Sequence, residues 1–266
     1  MNIFLKELGS YKKGLFFWSL GMITLVASGM AKYATYKAAG GQSITELLAQ
    51  LPNSIQLIFG LSGFDLSQPS GFYGVLFIYL ALMATVHAVL LGTDIIAKEE
   101  RDRTTEFLFV KPISRVRVIT EKLYAGLCNI LLLNIITTIS SIYFVNYFGK
   151  TNSLNGEIIL LMTALLILQL LFFFAGTAIA AVSKKPKSSA SIATAVLLFT
   201  FILSFVININ QSLDSLKYLT PFRYFDAKTI MANVALDPLY VAISLVVIGI
   251  LIVTTYKTYK SRDFSI

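Results

Sequence analysis

Six stretches of 18 to 25 consecutive residues contain no aspartate, glutamate, lysine or arginine, and they decide what this chain can fold into. They are residues 14–31, 72–92, 123–145, 158–182, 190–209 and 239–256. A bilayer core takes roughly 20 mostly apolar residues per helix. The expected fold is therefore an all-α integral membrane protein of about six transmembrane helices in a single domain, residues 1–266, with no internal repeat or long linker. Composition agrees: 56% of residues are hydrophobic and 14% charged, where soluble domains carry about 25% charged residues. A soluble fold of this size could not hide so much apolar surface, so the excess faces lipid.

The net charge of +8 does not indicate a nucleic-acid partner, because the basic residues form no long run or stripe. They cluster between the apolar stretches, where they set topology. Segments 1–13, 93–122, 183–189 and 257–266 hold 3, 7, 3 and 3 Lys and Arg, whereas the alternate segments 32–71, 146–157 and 210–238 hold 2, 1 and 3. The positive-inside rule then predicts that both termini are cytoplasmic and that the chain is a multi-pass protein of the plasma membrane. The first stretch is longer than the 7–15 residues of a signal-peptide core, so a retained helix is expected there. Cys128 stands alone, which excludes an internal disulfide, and no Cys/His spacing suits zinc.

Two segments between the spans have structure of their own. Residues 43–60 mix apolar and polar residues at helical spacing around Pro52. They fit two short helices on the outer membrane surface or an ordinary packed hairpin. Residues 93–122 begin with a charged run, Lys98 to Arg103, followed by Phe107, Leu108, Phe109 and Val110. Pro112 breaks the helix there, and Ser114 is placed to cap the next one. The pattern predicts a helix-break-helix elbow between the second and third spans.

Two motifs imitate catalytic sites. Gly149-Lys150-Thr151 resembles the end of a phosphate-binding loop, but that loop needs a glycine at the position of Phe144. No other Gly-Lys-Ser/Thr occurs, so ATP hydrolysis by this chain alone is not expected. Gly60-Leu61-Ser62-Gly63 with His87, the one histidine, imitates an intramembrane serine hydrolase. A base must reach its nucleophile within about 3 Å. His87 lies some 15 residues into its span, roughly 22 Å below the outer loop that carries Ser62. The hydrolase is the alternative reading, and a non-transporting anchor or sensor is a third.

Polar residues inside the spans, His87, Asn129, Asn134 and Gln169, are candidates to line a path. They equally suit plain helix-to-helix hydrogen bonds, worth about 0.6 kcal/mol each. Ion- or proton-coupled transporters place charge within the membrane, and these spans hold none, so a transporter of this kind takes its energy from elsewhere. An uncharged path suits lipids, amphipathic peptides or hydrophobic drugs better than a small ion.

At the elbow the chain resembles the permease subunits of the ABC-2 family of ABC transporters. That pattern is an acidic residue, then Gly-Thr-x-Glu-x-Leu, then Pro-hydrophobic-Ser-Arg. Thr104, Glu106, Leu108, Pro112, Ser114 and Arg115 match, while Arg103 replaces the glycine. Leu51-Pro52 with Phe59-Gly60, and Pro221-Phe222-Arg223-Tyr224-Phe225-Asp226, are similar to the family as well. The resemblance implies an exporter subunit whose elbow is a coupling helix docking on a separate ATPase. The implied docking residues are Glu99, Glu100, Arg103, Thr104, Glu106, Phe107, Leu108, Phe109, Pro112, Ser114 and Arg115. It also implies two ATPase subunits that carry ATP and magnesium, no cofactor in this chain, and pairing with a second copy or a similar permease. The 7 basic and 6 acidic residues of segment 93–122 suit a protein interface, whereas a lipid-binding patch would be mostly basic.

Overall fold

The computed structural model describes residues 3–40, 50, 52, 55–56, 64–102, 114–183 and 186–261. Among these there is no strand. The long helices are α1 (Ile3–Ala38), α2 (Pro69–Arg101), α3 (Arg115–Gly149), α4 (Asn155–Val182), α5 (Pro186–Ile209) and, after a segment of short helices, α8 (Pro238–Ser261). Six helices are long and apolar enough to cross a membrane, and each contains one of the six uncharged stretches. The segment between α5 and α8 holds a 3₁₀ helix (Gln211–Leu219) and two short helices, α6 (Pro221–Tyr224) and α7 (Ala227–Asn233).

Successive long helices alternate in direction. Near one end of the bundle the Tyr33 hydroxyl of α1 donates to the Ser67 carbonyl just before α2, and Gly149 at the end of α3 lies against Pro69. At the other end, the start of α3 meets the start of α1, where Glu121 accepts from the Ile3 and Phe4 amides. Arg115 there donates to the Lys260 carbonyl at the end of α8.

Helices α2 and α4 form the centre. Each buries 61% of its most apolar window, against 22% for α5 and 17% for α8. Lipid tails are as apolar as leucine, so packing rather than water exclusion holds such helices together, and small residues permit close approach. Gly92 of α2 faces the Phe173 carbonyl of α4, and Gly176 of α4 faces the Val89 carbonyl of α2. A methyl at either position would strike backbone, which no rotamer change relieves, so the crossing would have to open. Above it Tyr73, Phe77, Leu80, Leu161 and Leu165 fill one half of the core, with Met22, Val26 and Tyr33 of α1. Ile95, Ile119, Leu123, Ile130 and Phe173 fill the other.

The helices outrun the membrane. At 1.5 Å per residue a helix of about 35 residues is about 50 Å long, against a hydrocarbon core of about 30 Å. The surplus of α1, α2 and α3 falls largely at one end of the bundle, the end that carries most of the basic residues. Residues expected there as connecting segments, 3–13, 93–101 and 115–122, are helical. Segment 43–60 falls almost entirely outside the described residues.

Candidate functional site

The surplus turns of α1, α2 and α3 form a platform at both roots of the elbow. Helix α2 ends at Arg101 and α3 begins at Arg115, so the elbow hangs between them. Ser114 caps α3, its Oγ accepting from the Arg117 amide at 3.3 Å. Arg103, Thr104, Glu106, Phe107, Leu108, Phe109 and Pro112 of the expected docking set lie outside the described residues. Glu99, Glu100, Ser114 and Arg115 lie within them, at the two roots.

Charged side chains pin the platform together from inside. Lys122 is fully buried. Its Nζ donates to the Ile95 carbonyl at 2.8 Å and to Glu99 Oε2 at 2.5 Å, binding the start of α3 to the end of α2. One turn away on α2, Lys98 pairs with the buried Glu7 of α1 at 3.5 Å. It also donates to Ser10 Oγ at 2.7 Å and stands over the Tyr11 ring. The Tyr11 hydroxyl donates to Asp94 Oδ2 at 3.0 Å, and the other Asp94 oxygen takes Arg101. Glu121 completes the ring. It accepts from Arg117 at 2.9 Å and from the first two described amides of α1, where helix N–H groups lack intrahelical partners. Arg115 is tied to the end of α8. The α2 and α3 roots are thus cross-linked to each other and to α1 and α8.

Sequence reasoning placed Glu99 in the docking set, and the structure turns its carboxylate toward Lys122. Lys122 was passed over altogether. It sits one residue before an uncharged stretch, where a lysine ordinarily reaches out to the interface. The available signal was an acidic residue at the matching level of the neighbouring helix.

The four intramembrane polar candidates separate into two pairs. Asn134 of α3 and Gln169 of α4 meet each other: Asn134 Nδ2 donates to Gln169 Oε1 and to the Met162 carbonyl, both at 3.1 Å. His87 of α2 and Asn129 of α3 instead line a cleft of about 170 Å³ together with Tyr11, Trp18 and Asp94. The His87 ring packs edge-on to Trp18 at 5.3 Å. The His87 and Asn129 side chains are both buried and interact with each other across the α2–α3 contact.

No group of three or more His, Cys, Asp or Glu among the described residues could hold a metal ion. A family model described as "ABC-2 family transporter protein" matches residues 1–264. No individually curated protein matches the chain. With six membrane-length helices and a match over nearly its whole length, the chain belongs to the ABC-2 transporter family and is a membrane permease of an ABC transporter.

Proposed function

We propose that this permease is the membrane subunit of an ATP-driven exporter and docks a separate ATPase through the elbow between α2 and α3. The observation that carries the reading is the platform: both roots of the elbow are fixed to one charged, hydrogen-bonded block spanning α1, α2, α3 and α8. Such a block suits the transfer of motion from a partner into the bundle. Two permeases pair around the path and two ATPases bind beneath, each engaging one elbow. Closure of the ATPases on ATP pulls the elbows, and the platforms carry α2 and α3 with them. The sparsely buried α5 and α8 leave apolar faces for lipid and for the second copy. The carrier itself hydrolyses no ATP.

The test is reconstitution. Vesicles holding the permease with its ATPase are expected to move an amphipathic or hydrophobic cargo only with ATP, and the permease purified alone is expected to turn over none. ATP turnover by the isolated permease would overturn the reading, as would cargo movement indifferent to the ATPase.

The orientation has its own check. With the platform end cytoplasmic, a cysteine at position 50 is expected to react in intact cells with a membrane-impermeant maleimide, and tags at either end only after permeabilisation. Labelling of position 50 confined to permeabilised cells would reverse the topology.

A further inference from the structure

We propose that the outer end of the permease binds one phospholipid, holding its phosphate on Arg223 and Lys228 and drawing an acyl chain between α2 and α5. The segment after α5 folds back onto the bundle rather than looping away from it. Thr220 Oγ1 donates to the Thr200 carbonyl of α5 at 2.8 Å. The Phe222 ring wedges against Phe172 of α4 at 5.2 Å and Phe201 of α5 at 5.0 Å. Tyr224 stacks on Tyr240 of α8, with 4.9 Å between rings that lie 6° from parallel. Pro221 starts α6, which ends after one turn, and Asp226 caps α7 through Thr229. That return leaves a cavity of about 510 Å³ against α2 and α5.

The lining of this cavity is divided by polarity. Arg223, Lys228 and Asn208 stand at its polar side. None of these three side chains makes a hydrogen bond or ion pair with a described residue. Asp226 is the acidic group beside them, and its Oδ2 is taken by the Thr229 amide and hydroxyl at 3.1 and 2.9 Å. Among the described residues of the lining, the polar side therefore carries two cations against one carboxylate, a net positive charge. From there a recess continues inward past Ile78 and Phe205 to the aromatic and aliphatic side chains of Phe77, Leu168 and Phe201, with Ser204 and Asn208 also on its wall. Phosphate suits the forked donors of the half-buried Arg223 guanidinium in two-point contact. The aromatic depth of the recess accepts hydrocarbon, which a free anion does not supply. Charge and apolar surface together select an amphiphile with a phosphate head. The proposal relies on the orientation proposed above only for the leaflet that supplies the lipid.

The full chain in a neutral detergent, examined by native mass spectrometry, tests this without the ATPase and without regard to orientation. Short-chain phosphatidylglycerol is expected to be retained at one molecule per chain, and dioctanoylglycerol, which lacks the phosphate, is not. Arg223→Gln with Lys228→Gln is expected to weaken retention at least tenfold at an unchanged melting temperature. Lys228→Gln alone, an exposed side chain, is expected to weaken it at least threefold and guards against misfolding of the double variant. Wild-type retention by the double variant, or no loss from Lys228→Gln, would mark the lipid as merely annular and overturn the proposal. Inorganic phosphate that displaces the lipid at millimolar concentration would overturn it too, since the site would then recognise an anion without its tail.

Discussion

Lys122→Met is expected to destabilise the purified permease by about 3 kcal/mol, the low end for breaking a buried ion pair by removing one partner. The low end applies because the two partners differ in exposure: the Lys122 side chain is 0% exposed and Glu99 is 16%. Water therefore relieves part of the charge left on Glu99. The Ile95 carbonyl also loses its donor. Replacing both members, Lys122→Met with Glu99→Met, is expected to recover most of the loss, because no charge is then stranded. Arg101→Ala, by contrast, breaks a pair that is 41% and 30% exposed and should cost no more than about 1 kcal/mol. The measurement is the midpoint of a detergent-denaturant titration for the four proteins. A Lys122→Met loss below that of Arg101→Ala would show that Lys122 reaches water in the folded permease and that the platform is not pinned from inside.

The same pair shows why some of this molecule was legible in its sequence and some was not. Hydrocarbon imposes length and excludes charge, so six uncharged stretches sufficed to place six helices, and no rival fold competes for a run such as residues 158–182. Helix ends outside the hydrocarbon are under no such rule. Residues 93–101 and 115–122 are helical on either side of the break at Pro112, as their pattern indicates, but their charges do not report that α2 and α3 bury them against each other. Glu99 and Lys122 are 23 positions apart with the elbow between them, and no local pattern reports that they face each other. Among the intramembrane residues, type alone could not separate Asn134 and Gln169, which satisfy each other, from His87 and Asn129, which border a cleft. The difference lies in which helix each faces. In segment 210–238 the Pro221-to-Asp226 motif is visible in the sequence, but its part as the wedge that folds the segment back depends on Phe172 and Phe201 of distant helices. Ser114 was legible because a cap is local chemistry, set by three residues in a row.

Phe107→Ala combined with Phe109→Ala is expected to loosen the partner ATPase at least tenfold. The elbow is short, only eleven residues between Asp102 and Ser114, and a segment of that length is not expected to bury Phe107, Leu108 and Phe109 against itself. In a docked interface an aromatic anchor contributes about 2 kcal/mol or more, and a loss of 1.4 kcal/mol is about a factor of ten. Two anchors removed together therefore clear the threshold even after allowance for non-additivity. Glu106→Lys is expected to weaken docking as well, since the reversed charge would repel any basic group of the partner that a carboxylate beside the anchors attracts. The permease fold should be unaffected, because none of these residues lies in one of the six uncharged stretches. Co-purification of the ATPase with wild-type and variant permease, beside the melting temperature of each permease, separates lost docking from lost folding. A double variant that keeps its ATPase at wild-type stoichiometry and still stimulates its turnover would show that the elbow is not the docking element. The platform would then have to receive its partner by another surface, with the exposed Arg117 and Val116 at the start of α3 the nearest candidates.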